Sequence, residues 1–580
     1  MSELAQTDSA RPRWLLIGYG LAVALAIFTY FYGLDSDHIP RNGDELPYAQ
    51  ITRLTAATGH WLPLQSEKEG LRNTKPPLLF WQGIASTDWG KDWTLERLRY
   101  PSVIYTLLTA SLVLLLGWKL SQQMETGFLA LLVFLAFFST YRYGRPFLTD
   151  SPLVFWLFVP LFAILYWRPA MFESRLLAPP LLGLAIGVGL LYKSFAFLLP
   201  VALCFSWWYW RERNYSLKSF LARDAWKIAG IGLVSLAVFS LWFLLDPNPQ
   251  AVFRDFVLKE NAGKFDSHGS GYLKNLLWGG SSIWRLVVSY PLNAGLLSLP
   301  VIALFFVAFK HRAELSDGEK LLWIWVGTLF VAAALPSQRD ERYLLPAMPA
   351  LALLCALNWR RISRPVFNVS LVVTGVLLLV VAYLSWRLQQ GAPGTRLYAP
   401  AYWLLLVGTG VLVILAFRVP GFTRPAFNVV ALLALLIFAA FMRPLDGPLG
   451  TYSATVQQFA KGREVWVPVN FNAVEEGYRF FLPGADIHGY QYDPNLTMAD
   501  LSRRYPLFVM RLPMGTSTTN SYGSNVIGQR MYLGTRHTSK QIMQIVQGKV
   551  FEYLFLKELL VEAPGSATNG VVRPDGAVQR

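Results

Sequence analysis

The chain has 580 residues, 54% hydrophobic and 15% charged, with 21 Trp, two Cys and a formal net charge of +16. That apolar excess excludes an ordinary soluble globular domain, and two cysteines inside apolar runs (Cys204, Cys355) exclude a disulfide framework or a thiolate metal centre. The Lys and Arg residues are scattered through short loops between apolar runs rather than gathered on one face, which excludes a nucleic-acid partner.

Apolar runs near the ~20 residues that a helix needs to cross the hydrocarbon core occur at 14–33, 101–118, 127–141, 151–167, 176–192, 194–210, 228–245, 286–309, 321–336, 343–357, 366–386, 398–417 and 426–442. They predict an α-helical integral membrane protein with about thirteen transmembrane helices. The first run is long, aromatic and followed by no small-residue cleavage site, so it is expected to stay as a helix. With a cytoplasmic N-terminus, each inner loop is basic, from Arg11 and Arg13 through Arg211 and Lys227 to Arg418 and Arg424. An odd number of spans then places residues 34–100, 246–285 and everything after 442 outside the cytoplasmic membrane.

The thirteen runs contain no Asp, Glu, Lys, Arg or His, whereas ion-coupled transporters need ionisable groups at mid-membrane. The polar chemistry gathers at the outer helix ends: Asp44 and Glu45, Lys75, Arg145 and Asp150, Lys193, the Glu260 to His268 stretch, and Arg339 to Tyr343. Positive charge close to the membrane on the outer side breaks the usual bias, and an anionic ligand such as a lipid phosphate explains it. The outer loop 34–100 holds two expected interfacial helices. One follows Asp44, with Leu46, Ala49, Ile51, Leu54 and Ala57 at helical spacing and Gly59 as a stop. The other runs from Pro76 to Ala85 and opens on prolines.

After Pro444 the composition shifts. Short strands are expected at 464–469, 507–510 and 551–555, and helices at 498–504 and 539–547. These divide the chain into a membrane domain (1–445), a small extracytoplasmic α/β domain (446–563) and a disordered tail (564–580) rich in small residues.

Three stretches, Gly43-Asp44-Glu45-Leu46-Pro47-Tyr48-Ala49, Thr74-Lys75-Pro76-Pro77-Leu78-Leu79-Phe80-Trp81 and Arg145-Pro146-Phe147-Leu148-Thr149-Asp150, resemble the N-terminal signatures of a C-type glycosyltransferase family. This is the family of the lipid A aminoarabinose transferases and the bacterial protein O-mannosyltransferases. Leu191-Tyr192-Lys193, Glu260-Asn261 with Phe265, His268 and Tyr272, and Arg342-Tyr343-Leu344-Leu345-Pro346 continue the resemblance in order as far as about residue 445. It implies an inverting glycosyltransferase that takes a sugar from a polyprenyl (undecaprenyl) monophosphate on the outer side of the inner membrane. The acceptor is a hydroxyl or phosphate of lipid A, a glycan or a protein, and membrane lipids are the further partners.

The residue types suit that chemistry. A carboxylate must take the proton of the attacking hydroxyl, and Asp44 at the mouth of the first outer loop is placed for it. A leaving phosphate needs cations more than an acid, and Lys75, Arg339, Arg342 and Tyr343 supply donors. Asp150 positions the acceptor or orients a cation, and Glu45, Lys193, Glu260 and His268 complete the candidate set. The plain alternatives are that Asp44 and Asp150 are helix caps, that Lys75 snorkels and that His268 is an ordinary loop residue. Asp35-Ser36-Asp37-His38 resembles a D-x-D metal motif, but reads as a solvated helix end. In aminoarabinose transferases an acidic residue commonly precedes Lys-Pro-Pro. Here Thr74 stands there, so no obligatory metal is expected, although a divalent cation is compatible with the site. Two other classes share the helices: a flippase or transporter for lipid-linked sugars, and an O-antigen ligase or polymerase.

Overall fold

The computed structural model describes residues 13–564, apart from 40–42, 68–70, 175, 266–270, 393, 471, 494, 517–524 and 535–537. The expected tail and His268 therefore lie outside the described residues.

Chain order begins with α1 (Arg13–Phe31), the loop helices α2 (Glu45–Ala57) and α3 (Leu78–Ser86), then α4 (Leu95–Ser121), α5 (Met124–Ala136), α6 (Phe138–Gly144) and α7 (Asp150–Tyr166). There follow α8 (Arg168–Glu173), α9 (Ala178–Leu190), α10 (Leu198–Glu212), α11 (Leu217–Arg223), α12 (Ala225–Leu245) and α13 (Pro249–Val252). The rest of the membrane part is α14 (Tyr272–Trp278), α15 (Ile283–Ala294), α16 (Ser298–Lys310), α17 (Asp317–Ala334), α18 (Met348–Leu357), α19 (Arg364–Gly391), α20 (Pro400–Arg418) and α21 (Pro420–Met442).

Hydropathy predicts about thirteen spans, a count that these helices do not confirm. Among the described residues six helices are long and apolar enough to cross a membrane, or seven if α5 and α6, bent by 64° to one another, form one broken span. Three shorter apolar helices lie at Ile17–Phe31, Asp150–Tyr166 and Ala178–Leu190. The discrepancy has a local cause: a hydropathy run counts apolar residues and not where the helix breaks. The expected span 127–141 breaks at Phe137, whose backbone is extended (φ −64°, ψ 131°). The span 343–357 is a tight 3₁₀ turn (Glu341–Ala347, with Pro346) followed by only ten α-helical residues.

Small residues set how closely α9 and α12 approach. A Cβ on Gly183 or Gly187 would stand 2.8 and 2.7 Å from the Cβ atoms of Val234 and Val238. This is the small-xxx-small packing by which helices associate in lipid, and it fixes the C-terminal end of α9, where Leu191-Tyr192-Lys193 follow. Arg99 and Arg145, both buried, brace the long loop between α1 and α4. Arg99 forms a two-pronged pair with Glu45 (2.7 and 2.6 Å), and Arg145 donates to the carbonyls of Tyr30 and Ile39.

The C-terminal part adds α22 (Ala454–Ala460), β1 (Glu464–Val469), α23 (Val474–Phe481), β2 (Asp486–Gln491), α24 (Met498–Arg504), β3 (Leu507–Pro513), β4 (Asn525–Leu533), α25 (Ser539–Val546), α26 (Val550–Leu554) and β5 (Phe555–Glu562). The sheet order is β2-β1-β3-β5-β4, with β2, β1 and β3 parallel and β5 antiparallel to both β3 and β4. Alternation along β3 buries Leu507 and Val509 on one face and Phe508 and Met510 on the other, each against its own apolar cluster. One expected strand is corrected: residues 551–555 lie largely in helix α26, and the strand begins at Phe555. Its apolar residues pack as a helical turn into the membrane part's core, which the short run could not distinguish from a strand.

This sheet unit docks on the loop between α1 and α4. Arg53 of α2 grips Glu476 of α23 with two hydrogen bonds (2.8 and 3.0 Å), and Gln50 donates to Glu475 at 3.3 Å. Trp93 stacks on Phe480.

Candidate active site

A cavity of about 1090 Å³ opens where α2, the Lys75 loop, the C-terminal end of α9, the 253–265 segment and the turn before α18 meet. One part of its wall is charged: Asp44, Lys75, Lys193, Glu260, Lys264, Asp340 and Arg342. The other is apolar, built by Phe195, Phe197, Leu198, Leu199, Leu236, Leu329, Ala333 and Leu335 from the start of α10 and from α12 and α17.

Asp44 is the residue before α2, yet its side chain makes no capping bond. Instead it accepts a hydrogen bond from Nη1 of Arg342, whose Nη2 donates to Asp150 at 2.6 Å. Lys193 closes the group, with Nζ 2.6 Å from the other oxygen of Asp150. One guanidinium thus joins two carboxylates that are remote in sequence. The Asp150 side chain is 1% exposed and held by two cations, whereas that of Asp44 is 48% exposed at the cavity wall. Of the two, Asp44 can reach a substrate hydroxyl and Asp150 orients Arg342 and Lys193.

A second group lies beside the first. Nζ of Lys75 is 2.7 Å from Glu260, and Nζ of Lys264, one helical turn on, is 3.0 Å from the same oxygen. Glu260 sits in a π-helical segment, Phe253–Asn261, a winding that is frequent at functional sites. Burial pushes the Lys75 and Lys193 ammonium groups below their ordinary values, against the opposing pull of Glu260 and Asp150. Burial would raise Glu260, but Lys75 and Lys264 hold it below its ordinary value. Lysines stripped of water in this way gain strongly when an anion arrives.

Tyr343 lines the same cavity, with Nζ of Lys193 6.0 Å from its ring centre. Asp44, Asp150, Lys75, Lys193, Glu260, Arg342 and Tyr343 are therefore brought together. Two sequence candidates are not. Arg339 does not line the cavity; its guanidinium donates to the carbonyls of Ala334 and Ser281 (both 2.8 Å) and lies over the Tyr272 ring. Glu45 is buried against Arg99 and accepts from the Phe147 N–H at 2.7 Å, a bracing role. Asp35 and His38 pair with Arg443 and Asp446 after α21, as a helix-end contact. Among the described residues one group, Glu464, Asp486 and His488 on the C-terminal sheet, has metal-ligand atoms within 4.8 Å of one another, and none of the three lines the cavity.

Sequence reasoning missed two cavity residues. Lys264 follows Glu260 by four positions, a spacing that could have found it. Asn472 lies on the β1–α23 turn, with Nδ2 3.4 Å from where a Cβ on Gly43 would stand; nothing local in the sequence ties it to Asp44.

Residues 42–252 match the family profile of dolichyl-phosphate-mannose-protein mannosyltransferases. The chain is 27% identical over 410 residues to an undecaprenyl phosphate-α-4-amino-4-deoxy-L-arabinose arabinosyl transferase of Sodalis glossinidius, covering 67% of this chain and 68% of that protein. It is 26% identical over 344 residues to a protein of the same description from Pseudomonas fluorescens, covering 58% of this chain and 59% of the relative. The fold is similar to that of ArnT from Cupriavidus metallidurans, solved bound to undecaprenyl phosphate (TM-score 0.59, 14% identity, 97% of this chain and 100% of that one) and in the apo state (TM-score 0.57, 16% identity).

Proposed function

We propose that this chain, a multi-pass membrane glycosyltransferase of the C type that resembles the aminoarabinose transferases and uses a polyprenyl-phosphate-linked sugar, transfers that sugar with inversion on the outer side of the inner membrane. The acceptor is a hydroxyl or phosphate of an envelope lipid, glycan or protein. The observation that carries the mechanism is the single cavity in which a half-exposed carboxylate and four cations stand beside an apolar wall. A polyprenyl chain fits the wall of α10, α12 and α17, and its phosphate fits among Lys75, Lys193, Lys264 and Arg342.

The steps balance without a further reactant. The acceptor oxygen attacks the anomeric carbon from the face opposite the phosphate, and its proton passes to a carboxylate oxygen of Asp44. The anomeric carbon–oxygen bond breaks with its electron pair remaining on the polyprenyl phosphate, whose charge the cations stabilise. No metal is required, because the cations do this work; transfer should persist in excess chelator.

The test is donor cleavage. The purified chain, given an undecaprenyl-phosphate-linked sugar with Kdo₂-lipid A or a Ser/Thr peptide, releases undecaprenyl phosphate and glycosylates one of them. A flippase would leave the donor intact, and an intact donor with every acceptor tried would overturn the proposal.

A further inference from the structure

The sheet unit carries an apolar face that none of the described residues covers. Among the described residues beyond Asp446, four large hydrophobic side chains are exposed: Tyr492 at 41%, and Ile542, Met543 and Val546 at 53, 58 and 60%. The last three fall at i, i+1 and i+4 on one side of α25, so they make a single stripe rather than scattered exposures. The helix is firmly built, since Thr538 and Gln541 form a capping box at its start. Its Ile545 turns the other way, towards the core of the membrane part.

Position on α19 identifies what meets this stripe. The Tyr383 hydroxyl donates to the Val546 carbonyl (3.2 Å), and Nη2 of Arg387 donates to the Gly548 carbonyl (2.7 Å). Phe551 fills the space beside Gly391, where a Cβ would come within 2.1 Å of its ring. α19 has 28 residues, a length of roughly 42 Å against a hydrocarbon core of about 30 Å. Counted from Arg364, the charged end of the helix, about 20 residues exhaust that core, which brings the boundary to Tyr383. The exposed side chains agree: Val376, Leu379 and Val380 give way to Tyr383 and Trp386, the sequence of an aliphatic lipid face ending in an aromatic belt. α25 therefore touches α19 at the level where hydrocarbon gives way to headgroups. Lys540 and Lys549, both exposed, flank the stripe as lysines do beside lipid phosphates.

We infer that α25 is an interfacial helix: its Ile542, Met543 and Val546 face sinks into the lipid surface beside α19 and ties the C-terminal domain to the bilayer. The partner is lipid and not a second copy of the chain, because the stripe continues the lipid-facing surface of α19.

Both native cysteines are buried, so an environment-sensitive thiol probe can be placed at Met543→Cys in the full chain, with Val546→Cys as a second position. The reference is Asp500→Cys, partly exposed in the first turn of α24 and away from the stripe. The chain is reconstituted in phosphatidylcholine–phosphatidylglycerol vesicles with and without lipid brominated high on the acyl chain. Probes on α25 should lose several times more emission to brominated lipid than the Asp500 probe and be shielded from aqueous iodide, at every protein-to-lipid ratio. Equal responses at the α25 and Asp500 positions would overturn the inference. So would shielding from both quenchers that vanishes on dilution into excess lipid, the mark of contact with a second copy.

Discussion

Two of this molecule's clusters of carboxylates and cations, one in the C-terminal domain and one at the cavity, are built to opposite ends. In the C-terminal domain Glu558 is 0% exposed and accepts from four side chains: Arg530 (2.5 Å), Tyr478 (2.6 Å), Arg511 (2.9 Å) and Tyr452 (3.3 Å). Every lone pair has its partner and none of these residues lines the cavity, so the cluster is a strut. Around the cavity charged residues are paired more sparingly and remain reachable: Asp44 is half exposed on a guanidinium it shares with Asp150, and Lys75 and Lys264, 16% and 23% exposed, share the one carboxylate of Glu260. Such pairs can exchange a protein carboxylate for an incoming phosphate. A closed ion cluster stabilises and an open one binds.

Exchanging one carboxylate for its amide in each cluster sets the contrast at its largest. Asp44→Asn keeps the side-chain volume, and Asp44 makes no capping bond to lose, so folding should survive. Turnover should fall by about 10²- to 10⁴-fold while the donor still binds, measured by sugar transfer alongside retention of the polyprenyl-phosphate donor. Transfer within a few-fold of wild type would make Asp44 a passenger and erase the distinction. Glu558→Gln should do the reverse. It leaves two buried guanidinium groups without their anion, a loss of about 3–5 kcal/mol, seen as early unfolding of the sheet domain by hydrogen exchange in the full chain.

Acid sharpens the same comparison. Burial would raise the Glu558 carboxyl, but Arg530 and Arg511 bring it down to about 2 from an ordinary 4.5. A depressed folded value means that its stabilisation is complete above about pH 4.5 and is lost as pH falls towards 2, on the order of 3 kcal/mol in all. Thermal melts of the domain should fall through that window, and in Glu558→Gln the decline should flatten. The smallest effect is on donor affinity: Lys75→Ala should raise the apparent donor KM roughly tenfold, as for one charge-assisted contact. The exposed Lys91→Ala should leave it unchanged, and equal effects would remove Lys75 from phosphate binding.

The open cluster was more legible in the sequence than the closed one. Asp44, Lys75 and Asp150 stand out because a charged side chain beside an apolar run is costly without a partner, and α2 and α3 announce themselves by helical spacing and by Pro-Pro. Within the sheet domain β1 and α24 fall where their patterns put them. Glu558 lies inside an otherwise apolar strand, and its four partners come from four separate elements, so no local pattern marks it. Arg339 shows the converse limit. Its position beside Arg342 and Tyr343 suggested a ligand contact, yet a guanidinium can equally be consumed by backbone carbonyls, and only the fold decides which. The span count failed for a related reason, since composition measures how apolar a run is and not whether Phe137 or Pro346 interrupts it.

The grip of Arg53 on Glu476, with Gln50 on Glu475 beside it, ties the helix that follows Asp44 to the C-terminal domain. The two halves of the enzyme cannot then be inherited or engineered as independent modules. Glu476 is only 1% exposed, so a transplanted C-terminal domain lacking that glutamate would leave Arg53 facing an uncharged surface and shift α2 with it. A chimaera meant to change the acceptor should therefore carry α2 and α23 across as a single cassette.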